Sequence, residues 1–500
     1  MVPGAASIEA GFAVSKPVSP AGEKTSKSNQ WWAFAVTGTF LAISVGVYAA
    51  NELYVYLSAY LWFGFIYGMC LQYGRFCFSS AYRDLFAVGV PRMFVGIMIA
   101  TVLFSLTASF VTATGMSGFH PAPFGIHSVV AGLIFGFGMV FSGGCASGSL
   151  YKTGEGNMSA ALVVLSISIT QAVMADLGGW FNKLVPASWH AAAMARGLPA
   201  SVTPGDGWMD QYLAGYVWTK PKTVFSEMLG FSNDSILGAF LGNLLVGVVA
   251  PALVLLVGVY LIWSRKGFMK KRAREGKPAG LGADLAGFWT MVMSSKRTAI
   301  AGLFLGIACG LHMFVMTGLR TKFGIENAGE ILKAVGQDFG LSVRGTVFDP
   351  GYWYVTTQEA QWVGWVFNRV FGVDNMQNIY FGLENGIPNP LFNPADWMSV
   401  ALIGGAAVMA LLHNEFKWKK PTVELATWAI IGGFFMGIGS RLGLGCNIGA
   451  FFVRTANGDP SGWLFGLGMI GGAYFGVRFF KWWTERKMAK QMEAVSEIQV

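Results

Sequence analysis

The chain has 500 residues, of which 54% are hydrophobic and only 12% charged, and its mean hydropathy is +0.50. A soluble protein of this length does not usually bury so much apolar surface, and apolar runs of about 20 residues recur along the sequence. Alternating segments of roughly ten residues, as a membrane β-barrel requires, are absent. The composition therefore predicts an all-α polytopic membrane protein.

The net charge of +9 does not indicate a nucleic-acid partner, because the basic residues cluster beside the apolar segments, where they set membrane orientation. The five cysteines match no zinc-binding spacing. Cys70 and Cys77 are placed by the pattern on one helix, about 10 Å apart and beyond disulfide reach. We therefore expect no disulfide scaffold, no metal site and no cofactor.

In chain order, ten apolar segments are predicted to cross the membrane. They are 31–50, 58–79, 93–113, 127–141, 158–180, 236–263, 299–318, 398–413, 423–440 and 462–481. Residues 1–30 contain no apolar core and are predicted to be a cytoplasmic tail rather than a signal peptide. Segments 127–141 and 423–440 lead directly into glycine–cysteine sequences, so half-helices or re-entrant hairpins are expected there.

Basic residues predict the orientation of these segments. The stretch 264–298 holds nine Lys or Arg residues against two acidic ones, which places it in the cytoplasm. Ten crossings then put residues 1–30 and the tail 482–500 on the same side. Segments 181–235 and 319–397 fall outside. The second is predicted to be a folded periplasmic cap, in which Trp353, Trp362 and Trp365 indicate packing, or an ordered, inert loop. Both termini are therefore expected to be cytoplasmic.

Two glycine-rich segments surround Cys145 and Cys446, which lie 301 positions apart. Both have glycines nine, seven and one residues before the cysteine and three residues after it. In the predicted topology the two cysteine loops lie on opposite sides of the membrane. Residues 58–180 (the first unit) and 299–481 (the second unit) are therefore predicted to be inverted repeats, which place a site near the bilayer midplane. Segment 31–57 is then a leader helix, and 181–298 connects the units.

The glycines before each thiol predict a break in the helix and the start of a new one. Irregular backbone at membrane depth is tolerated where it lines a cavity, and the free N–H groups of a helix start attract anions. A thiol at such a position is a weak hydrogen-bond donor suited to a soft, sulfur-containing anion. The residues predicted to meet this anion are Cys145, Cys446, Gly144, Gly148, Gly445, Asn447 and Gly449. Lys152 and Arg454 are predicted to attract it, and His312 is predicted to lie at the membrane interface.

Three sequences carry a family resemblance: Ser142-Gly-Gly-Cys145-Ala-Ser-Gly-Ser-Leu, Gly443-Leu-Gly-Cys446-Asn-Ile-Gly-Ala-Phe-Phe and Arg75-Phe-Cys77-Phe. In them the chain resembles the YeeE/YedE family, sulfur-transport membrane proteins that include bacterial thiosulfate transporters. The resemblance implies an hourglass-shaped inverted-repeat transporter in the bacterial inner membrane, in which thiosulfate passes along a line of cysteines through S–H···S contacts. It implies central roles for Cys145 and Cys446, a guarding role for Cys77, and a less similar position for Cys309 in the opening span of the second unit.

Several alternatives remain open at this stage. Segments 181–235 and 319–397 lengthen the chain, so another sulfur anion, a polysulfide or a selenium compound is an alternative substrate. A membrane thiol enzyme that relays sulfur or redox equivalents needs two neighbouring cysteines, and the spacing predicts no such pair. A sensor or assembly subunit would bind a partner through 319–397. The expected partners are thiosulfate, the lipid bilayer and a cytoplasmic sulfur-carrier protein, and no nucleic acid.

Overall fold

The computed structural model describes residues 26–114, 126–176, 230, 236–324, 333–336, 353, 355–372, 389–443 and 445–498. Every regular element in these ranges is helical, apart from an isolated bridge between Asn157 and Lys419. Nine helices within them are long and apolar enough to cross a membrane, and Met158–Met174 is a shorter apolar helix. The prediction of an all-α polytopic membrane protein is confirmed.

The helices fall into a leader, two groups of similar order and a connecting region. The leader is α1 (Lys27–Ala50), and the first unit contains α2 (Val55–Gly74), α3 (Phe78–Arg83), α4 (Arg92–Ala113), α5 (Ile126–Phe141), α6 (Ala146–Gly154) and α7 (Met158–Asp176). The connecting region contains α8 (Ile236–Leu244), its π-helical continuation Leu245–Val249, Pro251–Val257 and Tyr260–Ser264, then α9 (Arg265–Arg274) and α10 (Leu281–Val292). The second unit contains α11 (Lys296–Phe323), α12 (Thr356–Phe371), α13 (Pro394–Leu412), α14 (Val423–Leu442), the π-helix Asn447–Val453 with the turn Arg454–Ala456, and α15 (Pro460–Ile498).

All ten predicted apolar segments contain helix, but the predicted segment 58–79 is not one helix. α2 ends at Gly74, Arg75 adopts a left-handed φ of 54°, and α3 begins directly after Cys77. The prediction that Cys70 and Cys77 share one helix is therefore wrong. Hydropathy averaged over the segment does not reveal this break, because only Gln72, Gly74 and Arg75 interrupt the apolar run before it resumes at Phe76. Elsewhere helix extends beyond the apolar segments, as in α15, which continues to Ile498 through residues of high helix propensity.

Long helices of the two units pack against one another in matched pairs. α2 packs on α13 and α4 packs on α11, while α5 packs on α15 and α14 packs on α7. In the order of the two units, α2 corresponds to α11, α4 to α13, α5 to α14 and α7 to α15. With these correspondences, exchanging the units turns the pair α2–α13 into α11–α4, and the pair α5–α15 into α14–α7. This pattern is the one expected of repeats related by a two-fold axis. It supports the inverted repeat, which stays a prediction.

Glycines allow these helices to approach closely. A Cβ atom on Gly136, nine residues before Cys145, would overlap the Met469 carbonyl of α15. A Cβ atom on Gly437, nine residues before Cys446, would lie 3.1 Å from the Ile167 carbonyl of α7. Small residues at such positions let helix backbones touch, which is how membrane helices gain packing energy. Gly68 of α2 and Gly306 of α11 make similar contacts with α13 and α4. The repeated glycines distant from each thiol are therefore packing residues.

Parts of the insertion 319–397 belong to the helical bundle. Trp353 is only 1% exposed and stacks on Tyr67 of α2, with ring centroids 4.2 Å apart. α12 packs on α7 and α13. The packing predicted for Trp353 is confirmed. The choice between a cap and an ordered, inert loop stays a prediction. The other predicted outer segment, 181–235, lies outside the described residues except for Gly230.

Candidate functional site

The first thiol stands at the start of the short helix α6. The backbone turns at Gly143, whose φ of +66° is a conformation that glycine adopts without strain. Cys145 then caps α6, and its Sγ accepts a hydrogen bond from the Gly148 N–H at 3.3 Å. A Cβ atom on Gly144 would lie 2.9 Å from Ser149 Oγ, so this glycine also serves a close approach. The predicted helix break and the new helix after Cys145 are confirmed.

The second thiol stands in the same position relative to its own break. α14 ends at Leu442, and Cys446 caps the π-helix that begins at Asn447. The Ile448 N–H donates to Cys446 Sγ at 3.4 Å. A Cβ atom on Gly445, whose φ is +150°, would lie 2.9 Å from the backbone nitrogen of Ala450. The predicted helix start is confirmed here too, although the helix is of the π type.

Three cysteines, not two, occupy helix starts. At two of them a backbone N–H donates to the sulfur: Gly148 to Cys145 at 3.3 Å and Ile448 to Cys446 at 3.4 Å. There the sulfur takes the role that a serine or aspartate oxygen usually plays at a helix N-terminus. The thiol of Cys77 instead donates to Cys145 Sγ, and Cys145 Sγ also lies 3.6 Å from Ser147 Oγ.

Near the end of each short helix, a basic side chain donates a hydrogen bond to a backbone carbonyl in the helix break before the cysteine. Lys152 Nζ donates to Gly143 O at 2.6 Å, and Arg454 Nη1 donates to Gly443 O at 2.9 Å. Such carbonyls otherwise lack a partner. Lys152 follows its cysteine by seven residues and Arg454 by eight, and the wider π-helix accommodates the extra residue. Arg454 is 3% exposed, so it braces the break rather than attracting an anion from the surface.

Cys77 and Cys145 are neighbours in space. Their Sγ atoms lie 3.9 Å apart, and Lys152 Nζ lies 4.0 Å from Cys77 Sγ. Both thiols are buried. A Cβ atom on Gly148 would lie 2.6 Å from Cys77 Sγ and 3.0 Å from Cys145 Sγ. Gly148 is therefore the residue that leaves room for both sulfurs.

The cysteine spacing predicts no neighbouring thiols, and that prediction is wrong. The prediction places Cys77 on the continued axis of α2. The left-handed residue Arg75 instead turns the chain, and α3 packs against α5, the helix that leads to Cys145. No glycine spacing marks this approach, because it depends on how two separate breaks fold together.

A small cavity lies between the two units and is bounded by residues next to three of the cysteines. Its walls are Leu71, Phe76, Phe78, Ile97, Ala100, Ser147, Leu305, Ile448 and Phe452. Phe76 and Phe78 flank Cys77 in the sequence. Ser147 and Ile448 each follow the cysteine of their own break by two residues. The short helix α6 also contacts the π-helix of the second unit. The helix breaks before Cys145 and Cys446 therefore approach each other at this cavity.

Buried polar atoms without a hydrogen-bond partner among the described residues occur in both short helices that follow Cys145 and Cys446. Both side-chain amide atoms of Asn447, the first residue after Cys446, are buried without a hydrogen-bond partner among the described residues. The hydroxyl of Ser149 in α6 is in the same condition. A buried polar group left unpaired costs about 1–3 kcal/mol. Such groups are expected where a polar ligand completes the hydrogen bonding.

Cys309 lies in α11, and its neighbours differ from those of Cys77 and Cys145. It is buried beside the hydroxyl of Tyr67 and near Cys70. One helical turn later, His312 is fully buried, with its Nδ1 atom 3.0 Å from the Tyr67 hydroxyl and its ring stacked on Phe63 at 4.4 Å. The prediction that His312 is interfacial is wrong, because it faces α2 in the protein core.

A charged network lies at the break before Cys77. Glu415 forms ion pairs with Arg75 at 3.0 Å and with Arg297 at 3.3 Å. The side-chain amide of Gln72 donates hydrogen bonds to Glu415 at 2.7 Å and to Glu155 at 3.2 Å. Burial acts to raise the pKa of Glu415, but Arg75, Gln72 and Arg297 together hold it below its ordinary value. Burial raises the pKa of Glu155. Two guanidinium groups therefore stand at this end of the site.

Comparisons with known proteins agree with this geometry. A family described as sulphur transport matches residues 73–475. The thiosulfate transporter TsuA of Spirochaeta thermophila is 24% identical over 406 residues, which cover 80% of this chain and 92% of that protein. TsuA of Escherichia coli is 22% identical, covering 82% and 91% of the two chains. The probable transporter YedE of Escherichia coli is 33% identical over 159 residues, 32% of this chain and 38% of its own.

These relatives are named as transporters and not as enzymes. The apolar helices and the relatives together describe a multi-pass membrane transport protein. Since a single family matches residues 73–475, the greater part of the sequence, the chain belongs to the YeeE/YedE sulphur-transport family.

Proposed function

We propose that the chain carries thiosulfate, or a closely related inorganic sulfur anion, along a pathway formed by Cys77, Cys145 and Cys446. The cavity bounded by Phe76, Ser147 and Ile448 supports this most directly, because it adjoins the helix starts of all three cysteines. The TsuA proteins, which are named thiosulfate transporters, align with about four-fifths of the chain and support the choice of anion.

The chemistry of the three helix starts fits a soft anion. Thiosulfate has a terminal sulfur at one end and sulfonate oxygens at the other. Because a backbone N–H donates to the sulfurs of Cys145 and Cys446, the S–H hydrogens of these two thiols can turn toward the terminal sulfur of the substrate. The unpaired amide of Asn447 can donate to a sulfonate oxygen. Two opposed helix starts add favourable dipoles without placing a full charge in the bilayer.

The proposed route ends at the charged network around Arg75 and Arg297. The anion first meets Cys446, crosses the cavity, and then passes the thiols of Cys77 and Cys145 and the ammonium group of Lys152. Cys309 serves as a further station, one helical turn beyond Leu305 of the cavity wall. In this proposal the units are inverted repeats in the bacterial inner membrane, with both termini in the cytoplasm. A cytoplasmic sulfur-carrier protein then receives the anion at the Arg75 end.

Reconstitution tests the proposed function. The purified protein is placed in liposomes, and uptake of labelled thiosulfate, sulfate and selenite is compared. Thiosulfate uptake should be saturable. Sulfate should be carried about tenfold more slowly or worse, since it lacks the soft sulfur that accepts the S–H hydrogen bonds. Equal uptake of sulfate and thiosulfate, or no uptake above empty liposomes, would contradict the proposal.

The buried carboxyl group of Glu359, in α12, is expected to make transport depend on pH. Its carboxylate acts electrostatically on Cys446. Burial raises the pKa of Glu359 to about 8, although a hydrogen bond from Ser399 opposes the shift. A carboxyl group with a raised pKa is neutral below that value and negative above it. An anion near Cys446 therefore meets a neutral group at pH 7 and a negative charge at pH 9. Thiosulfate uptake should fall severalfold between these pH values.

A matched pair of variants checks this assignment. Glu359→Gln should remove the decline above pH 8, because the amide does not ionise. Glu424→Gln changes an exposed carboxylate paired with Lys487, and it should keep the pH profile of the wild type. If Glu359→Gln loses uptake at high pH as steeply as the wild type, another group is responsible.

A further inference from the structure

The thiols of Cys77 and Cys145 form a pair that the transport proposal does not fully explain. Hydrogen bonding to a passing anion requires only one thiol at each station, yet here two lie 3.9 Å apart. A disulfide has a sulfur–sulfur distance of about 2.05 Å, so bond formation needs an approach of about 2 Å. Gly148 has no side chain, which leaves the space around both sulfurs open for that movement.

Charge at the pair favours thiol chemistry. The ammonium group of Lys152 lies 4.0 Å from Cys77 Sγ, and it is held there by its bond to the Gly143 carbonyl. A neighbouring cation and a helix start are the surroundings of reactive cysteines, because both stabilise a negative sulfur. Cys77 has both features. It is therefore the better nucleophile of the pair, and Cys145 is placed to resolve what Cys77 forms.

We propose that Cys77 and Cys145 form a two-electron dithiol site that reacts with oxidised sulfur anions containing a sulfur–sulfur bond, of the tetrathionate class. The inference rests on the proposed function, since such an anion reaches the buried pair by the thiosulfate route. Tetrathionate consists of two thiosulfate units joined through their terminal sulfurs. It therefore presents the same sulfonate end groups as the proposed substrate.

The reaction balances in two steps of thiol–disulfide exchange. Cys77 loses its proton and attacks the central sulfur–sulfur bond of tetrathionate, which forms a Cys77–thiosulfate adduct and releases one thiosulfate. Cys145 then loses its proton and attacks the Cys77 sulfur. The protein disulfide forms, and the second thiosulfate leaves. In total, two thiols lose two electrons and two protons, and one tetrathionate gains the two electrons to become two thiosulfate ions.

Closure of this disulfide has a direct effect on transport. It removes both S–H hydrogens at one station and joins α3 to α6 across the route. Uptake of thiosulfate should therefore stop when tetrathionate is present, and a reducing agent should restore it. The pair would then sense the oxidation state of the sulfur anions around the cell.

The test uses the purified full-length protein in detergent, treated with tetrathionate or with the uncharged thiol oxidant diamide. Peptide mass spectrometry measures the Cys77–Cys145 disulfide, and ion chromatography measures released thiosulfate. We expect two thiosulfate ions for each disulfide formed by tetrathionate, and full reversal by dithiothreitol. In liposomes the same treatment should lower thiosulfate uptake at least tenfold. A disulfide formed by diamide but not by tetrathionate would overturn the inference.

Variants and a transport measurement separate the possible outcomes. Cys145→Ser should give no disulfide and release at most one thiosulfate per protein, while Cys70→Ser, which changes a half-buried thiol outside the pair, should react like the wild type. Uptake by untreated protein is measured in the same preparation. If the untreated protein takes up thiosulfate but tetrathionate forms no Cys77–Cys145 disulfide, the dithiol site is overturned and the proposed function stands. Disulfide formation in protein that carries no thiosulfate overturns the proposed function and leaves the dithiol reaction in place.

Discussion

Replacement of Cys145 by alanine is expected to lower thiosulfate uptake by about 100-fold, close to its complete loss. The change removes the S–H group at the start of α6 and leaves Cys77 without its neighbouring thiol. A hydrogen bond to a charged group is worth about 1.5–3 kcal/mol, and 3 kcal/mol corresponds to roughly 100-fold in rate or affinity. Uptake of labelled thiosulfate into liposomes measures the effect.

Two comparisons show whether this loss arises at the site. The yield and melting temperature of detergent-extracted Cys145→Ala should stay close to those of the wild type, since only a small buried side chain is shortened. Cys70→Ser should transport normally, because Cys70 is only half-buried and does not line the cavity. Normal uptake by Cys145→Ala would rule out a role for this thiol in the pathway.

Replacement of Gly148 by alanine should have a comparable effect through a single added methyl group. The new Cβ atom would lie 2.6 Å from Cys77 Sγ and 3.0 Å from Cys145 Sγ, closer than nonbonded atoms normally approach. The sulfurs must then move apart. Displacement of reacting groups by about 1 Å can cost up to about 100-fold in rate, so we expect uptake to fall at least about tenfold.

Alanine has a higher helix propensity than glycine, so loss of uptake in Gly148→Ala would not reflect a weaker helix. Gly471→Ala is the matched control, since Gly471 also lies in a helix but a Cβ atom there would meet nothing within 4 Å. The control should transport like the wild type. If the two variants transport equally well, the thiols do not need the space that Gly148 leaves.

Features encoded locally could be predicted from the sequence. The ten apolar segments follow from hydropathy, and the helix starts after Cys145 and Cys446 follow from the glycines before them. Repetition at equal offsets made the prediction of the breaks stronger than either copy alone. These elements depend on a few consecutive residues, and the folded chain preserves them.

Features that depend on the meeting of distant segments could not be predicted. The break at Arg75 has a single glycine, Gly74, and the apolar residues from Phe76 onward conceal it in a hydropathy average. Without that break the proximity of Cys77 to Cys145 has no visible signal. Likewise, Arg454 has the composition of a surface charge, and only the fold shows that it binds the Gly443 carbonyl. The packing of Trp353 can be predicted, but its partner, Tyr67 of α2, is distant in the sequence and cannot.

The glycine contacts between the units have a mechanical consequence. At Gly68, Gly306, Gly136 and Gly437 the long helices touch backbone to backbone, so sliding one helix along another would drive side-chain-bearing positions into carbonyl oxygens. Close-packed interfaces resist such continuous deformation. The long helices therefore act as a stiff frame. Passage of an anion is expected to depend on rotation of side chains and small displacements of the short helices that follow each cysteine, rather than on a rocking motion of whole units.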